Sequence, residues 1–173
     1  KTFIVKPSKG CQGTGIRLTR CLDEISPHEP NIVQRYLHRP HLLDGYKYDL
    51  RLYVLLSAVS PLRLYLFEEG LVRMCTEKYH QPTNANMHNT CAHLTNYSIN
   101  KSDGDYVANA DAADDASGHK WSLAACYRAL AEDGVDVGRL SSRIDSIFAK
   151  TLIAAQNHIT NKYAQHFRRR NAC

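Results

Sequence analysis

The sequence predicts an α+β fold in which antiparallel sheet elements come first and long helices follow. Residues 1–100 are rich in strand formers broken by short turn signals, whereas residues 119–170 repeat their apolar residues at helical spacing. Between them, residues 102–118 are acidic, small and without period, which predicts an exposed connection. At 173 residues the chain is long enough for one domain with a real core and short for two. A hydrophobic content of 43% with 23% charged residues argues against wholesale disorder.

Taken in order, residues 2–5 form a short apolar strand and residues 15–18 a second one. The loop between them holds Gly10, Gly13 and Gly15, which permit turns closed to other residues. Residues 31–37 read as a strand ahead of Pro40. Residues 46–58 are the longest strand candidate, and they alternate: Tyr48, Leu50, Leu52 and Val54 on one face, Lys47, Asp49, Arg51 and Tyr53 on the other. Pro61 opens a further strand over residues 62–67, and Glu68-Glu69-Gly70 is expected to turn a hairpin into residues 71–75. A helix is expected over residues 121–132, stopped by Gly134. A longer helix carries Leu140, Ile144, Ile147, Phe148, Leu152, Ala155, Ile159 and Tyr163 at helical spacing, a stripe that reads as core packing.

Composition narrows the function classes. A net charge of +5 mildly favours an anionic partner, but nucleic-acid binding would rest on that charge and on Arg168-Arg169-Arg170 alone. No apolar run approaches the roughly 18–20 residues that cross a bilayer, so no membrane partner is expected. Six scattered cysteines without a C-x-x-C pair argue against a zinc site and against a disulfide framework. Of nine histidines only His38 and His41 lie close together, with Pro40 between them, so structural and surface roles are expected.

Three features can do chemistry. Lys6 ends a strand just before the glycine loop, and such a loop can offer backbone N–H groups to phosphates while the lysine neutralises their charge. A plain hairpin explains the same pattern, and no P-loop follows. The Lys47-x-Asp49-x-Arg51 face places three charges within roughly 13 Å of strand, suited to holding a nucleotide and stabilising developing negative charge, or simply to facing solvent. The third is the segment from His93 to Lys101, so polar that it makes a poor core element; Thr95, Asn96 and Ser98 there suit ligand contacts or turn caps.

In series these segments are specific. Ile4-Val-Lys-Pro7, Cys11-Gln-Gly-Thr-Gly-Ile16, Val33-Gln-Arg-Tyr-Leu37, Leu43-Asp-Gly-Tyr-Lys-Tyr-Asp-Leu-Arg51, Pro61-Leu-Arg63, Glu68-Glu-Gly-Leu-Val-Arg73 and His93-Leu-Thr-Asn-Tyr97 together resemble the tubulin–tyrosine-ligase-like family, its glutamate-adding (polyglutamylase) branch in particular. The match in order and spacing covers residues 1–101; residues 119–173 are similar more loosely.

The resemblance implies an ATP-grasp-like fold and a ligase that joins glutamate to side-chain carboxylates on the acidic tails of tubulin through an acyl phosphate. Residues 1–101 would be the nucleotide- and substrate-gripping sheet region of one ligase domain, residues 102–118 the exposed connection and residues 119–173 the helical region. By motif, Lys6, Gln12, Gly13, Gln34, Arg35, Tyr36, Leu37, Lys47, Tyr48, Asp49, Thr95 and Asn96 would bind ATP, and Arg51 would act at the reacting phosphate. Arg73, Tyr97, Ser98 and Lys120 fall on the positions that receive free glutamate. Two carboxylates call for two fixed cations, whereas glycine brings one carboxylate. Lys120 reads equally as a surface lysine opening the helix at Trp121. Mg²⁺ is implied as well, yet no metal ligand is assigned here: the acidic ligands would follow Cys173, so the chain is expected to be an internal fragment, inactive by itself. The implied location is the cytoplasm and cytoskeleton, with the cilium or basal body as a specialised site. The alternatives are a tubulin glycylase and a non-catalytic microtubule-binding module. A kinase-like phosphotransferase lacks its catalytic Asp loop.

Overall fold

A computed structural model describes residues 1–109 and 115–167. The chain divides into two compact units, one made of Lys1–Arg51 and Leu71–Cys126, the other of Leu52–Gly70 and the residues from Tyr127 onward.

The first unit contains two antiparallel sheets. In one, β1 (Phe3–Pro7) is flanked by β2 (Arg17–Thr19) and β3 (Asn31–Arg35). The other has the order β4 (Leu42–Leu43), β5 (Tyr46–Arg51), β8 (Leu71–Lys78), β9 (Lys120–Ser122). The core gathers Val5, Leu43, Val72, Met74 and Cys75, and a cluster of Leu18, Tyr36 and Tyr79 closes over Ile4, Leu42 and Met87. Two four-residue helices, α1 (Thr90–His93) and α2 (Tyr97–Asn100), pack beside β8.

The second unit pairs β6 (Val54–Val59) with β7 (Leu62–Leu66) as a hairpin. The 30-residue α4 (Val137–His166) lies against that hairpin, and its Gln156 Nε2 donates to the Val59 carbonyl at 2.9 Å. Asp136 caps α4 by accepting from the Arg139 amide at 2.9 Å. The boundary between the units falls inside α3 (Leu123–Glu132), after Cys126.

Four expectations are corrected. The long strand over residues 46–58 is two strands, because β8 pairs with β5 only as far as Arg51↔Leu71, while Val54 takes Leu66 of β7. Alternation runs on through Leu52 and Tyr53, so periodicity carried no sign of the break. The hairpin at Glu68-Glu69-Gly70 does not form: β7 pairs with β6, and β8 with β5 and β9. The helix expected from Trp121 begins at Leu123, because Lys120, Trp121 and Ser122 pair with β8 and the Ser122 hydroxyl then accepts from the Ala125 amide at 2.9 Å. The α4 stripe is only half-buried: no described residue of α4 is fully buried, and Ile147 and Tyr163 are exposed. At one point of the connection Val107 exchanges two hydrogen bonds of 3.0 Å with His119. Arg168–Arg170 and most of the Asp111–Asp115 acidic run lie outside the described residues.

Gly134 stops α3 as expected, with φ +79°. No helix among the described residues is long and apolar enough to cross a membrane.

Candidate functional site

A cavity of about 790 Å³ opens in the first unit, lined by Ile4, Lys6, residues 34–40 and Lys47. It exists because β1 and β3 are antiparallel neighbours in the register Ile4↔Gln34 and Lys6↔Ile32. That pairing sets Phe3 and Ile4, at the start of β1, against Arg35 and Gln34, at the exit of β3. Lys6 Nζ donates to Gln34 Oε1 at 2.9 Å across the cavity wall. Six residues expected at a nucleotide site, Lys6, Gln34, Arg35, Tyr36, Leu37 and Lys47, thus line one space.

Lys47 sits at an irregularity in the ladder. Between the pairs Tyr46↔Lys78 and Tyr48↔Met74, this one residue of β5 faces three of β8. Its ammonium donates to the Tyr36 hydroxyl at 2.9 Å and to the His93 carbonyl at 2.6 Å. Burial holds its pKa below the usual lysine value, and the Lys6 charge adds to this while Asp49 opposes it. Burial likewise pushes the Cys75 thiol up to about 12, leaving it a neutral packing group.

The glycine loop docks elsewhere on the same unit. Ser98 Oγ donates to the Gln12 carbonyl at 2.7 Å. At Gly13, φ is +88°, and a Cβ would lie 2.7 Å from Ile99 Cδ1 and 3.0 Å from Asn96 Cγ. Gln12, Gly13, Asn96 and Ser98 are therefore neighbours. Asn96 makes no side-chain capping bond to α2, so the turn-cap reading of this segment fails for Asn96 and for Ser98.

A third group is a row across three strands. Asp49↔Arg73 pair across β5 and β8, and Arg73↔Lys120 across β8 and β9. Register partners in antiparallel strands point to the same face, so an anion, a guanidinium and an ammonium stand side by side. Arg73 Nε donates to Asp49 Oδ1 at 3.0 Å, and its Nη2 donates to Oδ2. Lys120 is consequently a strand residue rather than a helix-opening one, and it is exposed.

The remaining expected residues are placed less centrally. Tyr48 does not line the cavity; its hydroxyl meets His41 Nδ1 at 3.3 Å. Arg51 is exposed at the end of β5. Tyr97 is half-exposed, edge-to-face with Tyr106 and beneath the Lys101 ammonium. Thr95 lies between α1 and α2.

Sequence reasoning missed two buried polar residues that hold the site together. Asn100 Oδ1 accepts from the Thr76 amide at 2.9 Å, and its Nδ2 donates to the Leu94 and Asn96 carbonyls at 2.7 and 3.0 Å. His93, 1% exposed, touches Tyr36 and Asn86. The segment judged too polar for a core element is thus stapled into one by fully satisfied hydrogen bonds. No sequence signal separates such an Asn from a turn residue. Among the described residues no cluster of three or more metal-ligating side chains is present.

Antiparallel sheets followed by helices define a mixed sheet-and-helix domain. The sequence profile of the tubulin-tyrosine ligase family matches residues 1–173, and the chain belongs to that family. It is similar to a probable beta-tubulin polyglutamylase of Tetrahymena thermophila, 47% identical over 163 residues, 94% of this chain and 14% of that one. It is also 39% identical to the tubulin monoglutamylase TTLL4 of Mus musculus, covering 99% of this chain and 14% of that protein. With the tubulin polyglutamylase ttll6 of Danio rerio it shares 40% identity over 96% of this chain and 21% of the relative. The chain therefore spans about a seventh to a fifth of the length of these relatives.

Proposed function

We propose that this chain supplies the nucleotide- and amino-acid-gripping parts of an ATP-grasp-type ligase that adds glutamate to side-chain carboxylates on the acidic tails of tubulin. The observation that carries the reading is the Asp49–Arg73–Lys120 row, where two cations share one sheet face. Free glutamate brings two carboxylates, and a row with Arg and Lys suits both. The names of the relatives, polyglutamylases and a monoglutamylase, support the same acid over glycine.

In this reading ATP is a substrate, held at the cavity by Lys6, Gln34, Arg35, Leu37 and Lys47, with Tyr36 behind them in the wall and the Gln12-Gly13 loop and Thr95-Asn96 as further contacts. The carboxylate of the target attacks the terminal phosphorus, the bond to the ADP oxygen breaks, and an acyl phosphate forms. The amino group of free glutamate then attacks that carbonyl. Phosphate leaves, the nitrogen loses a proton, and an isopeptide bond remains. Arg51 would stabilise charge on the transferring group and on the tetrahedral intermediate. Tyr97 and Ser98 would complete the glutamate pocket. No step is assigned to magnesium.

The test is full-length protein with ATP, microtubules and labelled glutamate or glycine. Glutamate incorporation that depends on ATP is expected. Preferential glycine incorporation would make the protein a glycylase, and microtubule binding without either label would make it a non-catalytic module; each outcome refutes the proposal.

A further inference from the structure

Resting on the nucleotide reading of the cavity, we propose that Tyr36 and His93 are positioning residues that fix the Lys47 ammonium at the cavity wall, so that Tyr36 acts on the nucleotide through Lys47 rather than as a ligand. The side chains form an ordered series. His93 Nε2 lies 3.2 Å from the Asn86 carbonyl and Nδ1 lies 3.3 Å from the Tyr36 hydroxyl. The carbonyl can only accept, so Nε2 carries the proton and Nδ1 accepts from Tyr36. The Tyr36 oxygen then presents its lone pairs to Lys47, which binds it at 2.9 Å and the His93 carbonyl at 2.6 Å.

The surroundings hold this series in place. Tyr36 and His93 are 4% and 1% exposed. The His93 ring is edge-to-face with both Tyr36 and Tyr79, at 5.8 and 5.6 Å between centroids. Tyr79 is anchored in turn to the His38 carbonyl at 2.9 Å. The Lys47 nitrogen also lies 4.6 Å from the centre of the Tyr36 ring, within range of a cation–π contact.

Both Lys47 acceptors in this series are neutral. They orient the ammonium without cancelling its charge, whereas Arg73 at the next site is paired with a carboxylate. A lysine has a flexible four-carbon stem, and ordering it normally costs binding energy. Here that ordering is done when the protein folds, so an anion arriving in the cavity meets an ammonium already fixed in place.

The test is a double-mutant cycle on full-length protein, with affinity for the β,γ-methylene analogue of ATP measured by calorimetry for wild type, Tyr36→Phe, Lys47→Met and the double variant. The expected losses are about 30-fold for Lys47→Met and about tenfold for Tyr36→Phe, with no further loss when Tyr36→Phe is added to Lys47→Met. A purely structural or direct-ligand role would give additive losses, and additivity would overturn the proposal. An unchanged affinity in Tyr36→Phe would overturn it as well. If Lys47→Met binds as wild type does, the nucleotide reading of the cavity itself falls, a result separable from the other two. Melting temperatures identify any variant that unfolds. Should Tyr36→Phe do so, His93→Asn takes its place in the same cycle, with the same coupling expected and the same additivity refuting it.

Discussion

Asp49 and Arg73 stand opposite each other across β5 and β8, and the guanidinium grips the carboxylate with two nitrogens, Nε at 3.0 Å from Oδ1 and Nη2 on Oδ2. Their side chains are 34% and 27% exposed, so solvent screens the pair. Its stabilising effect should be no more than about 1 kcal/mol. What the pair fixes is where Arg73 sits relative to Lys120 on the next strand.

Arg73→Lys should therefore separate stability from function. A lysine keeps the charge and loses the planar fork. Ligation of glutamate should fall about 100-fold or more, while the melting temperature shifts by only about 2–4 °C. A large thermal shift with modest loss of activity would contradict this placement.

Lys120→Ala tests the second cation of the row. Removing one charge-assisted contact should raise the KM for glutamate by about tenfold or more. Any residual use of glycine, which has a single carboxylate, should not change. Equal effects on both amino acids would remove Lys120 from the pocket.

Arg51→Ala should abolish ligation and leave ATP affinity and the unfolding midpoint close to wild type, since Arg51 is exposed at the end of its strand. Near-normal turnover in this variant would end its assigned role.

The glycine loop gives two graded changes. Gly13→Ala needs a left-handed backbone conformation and places its methyl carbon 2.7 Å from Ile99 Cδ1. It should cost about 1–2 kcal/mol of local stability, seen as faster amide exchange in the loop, and raise the KM for ATP. Ser98→Ala loses one exposed hydrogen bond to Gln12 and should raise that KM only by about threefold. If Gly13→Ala has no effect on ATP, the loop is a hairpin and nothing more.

The His93 ring gives a pH dependence with a definite sign. Burial favours its neutral form, as does the nearby Lys47 charge, and the Asn86 carbonyl only partly opposes them, so its folded pKa lies below the ordinary 6.5. The unfolded chain then binds the proton more readily. The stability associated with a neutral ring is complete above pH 6.5 and is lost as pH falls below 6.5 through the folded value. By pH 5.5 the loss from this group is at most about 1.4 kcal/mol. Denaturant unfolding at pH 7.5 and 5.5 should show a flatter profile for His93→Gln than for wild type. An identical slope would mean that His93 does not titrate in this way.

The sequence by itself determined the class of elements and the residues that could carry chemistry. Glycines around Gln12, Lys6 at a strand end and the alternating charges of Lys47, Asp49 and Arg51 are local patterns, legible because strand period and backbone freedom depend on neighbours in the chain. Tertiary structure alone decided which of them meet. The row Asp49–Arg73–Lys120 joins residues 24 and 47 positions apart through two strand registers, and no local rule fixes a register between distant strands. The same holds where β5 gives way to β6: the alternation is unbroken, and only the identity of the partner strand, β8 or β7, marks the end. The sequence leaves His93 as structural or surface and Asn100 inside a segment too polar for a core, because a buried polar side chain is recognisable only once its hydrogen-bond partners, Tyr36, Asn86 and Thr76 among them, have been brought to it by the fold.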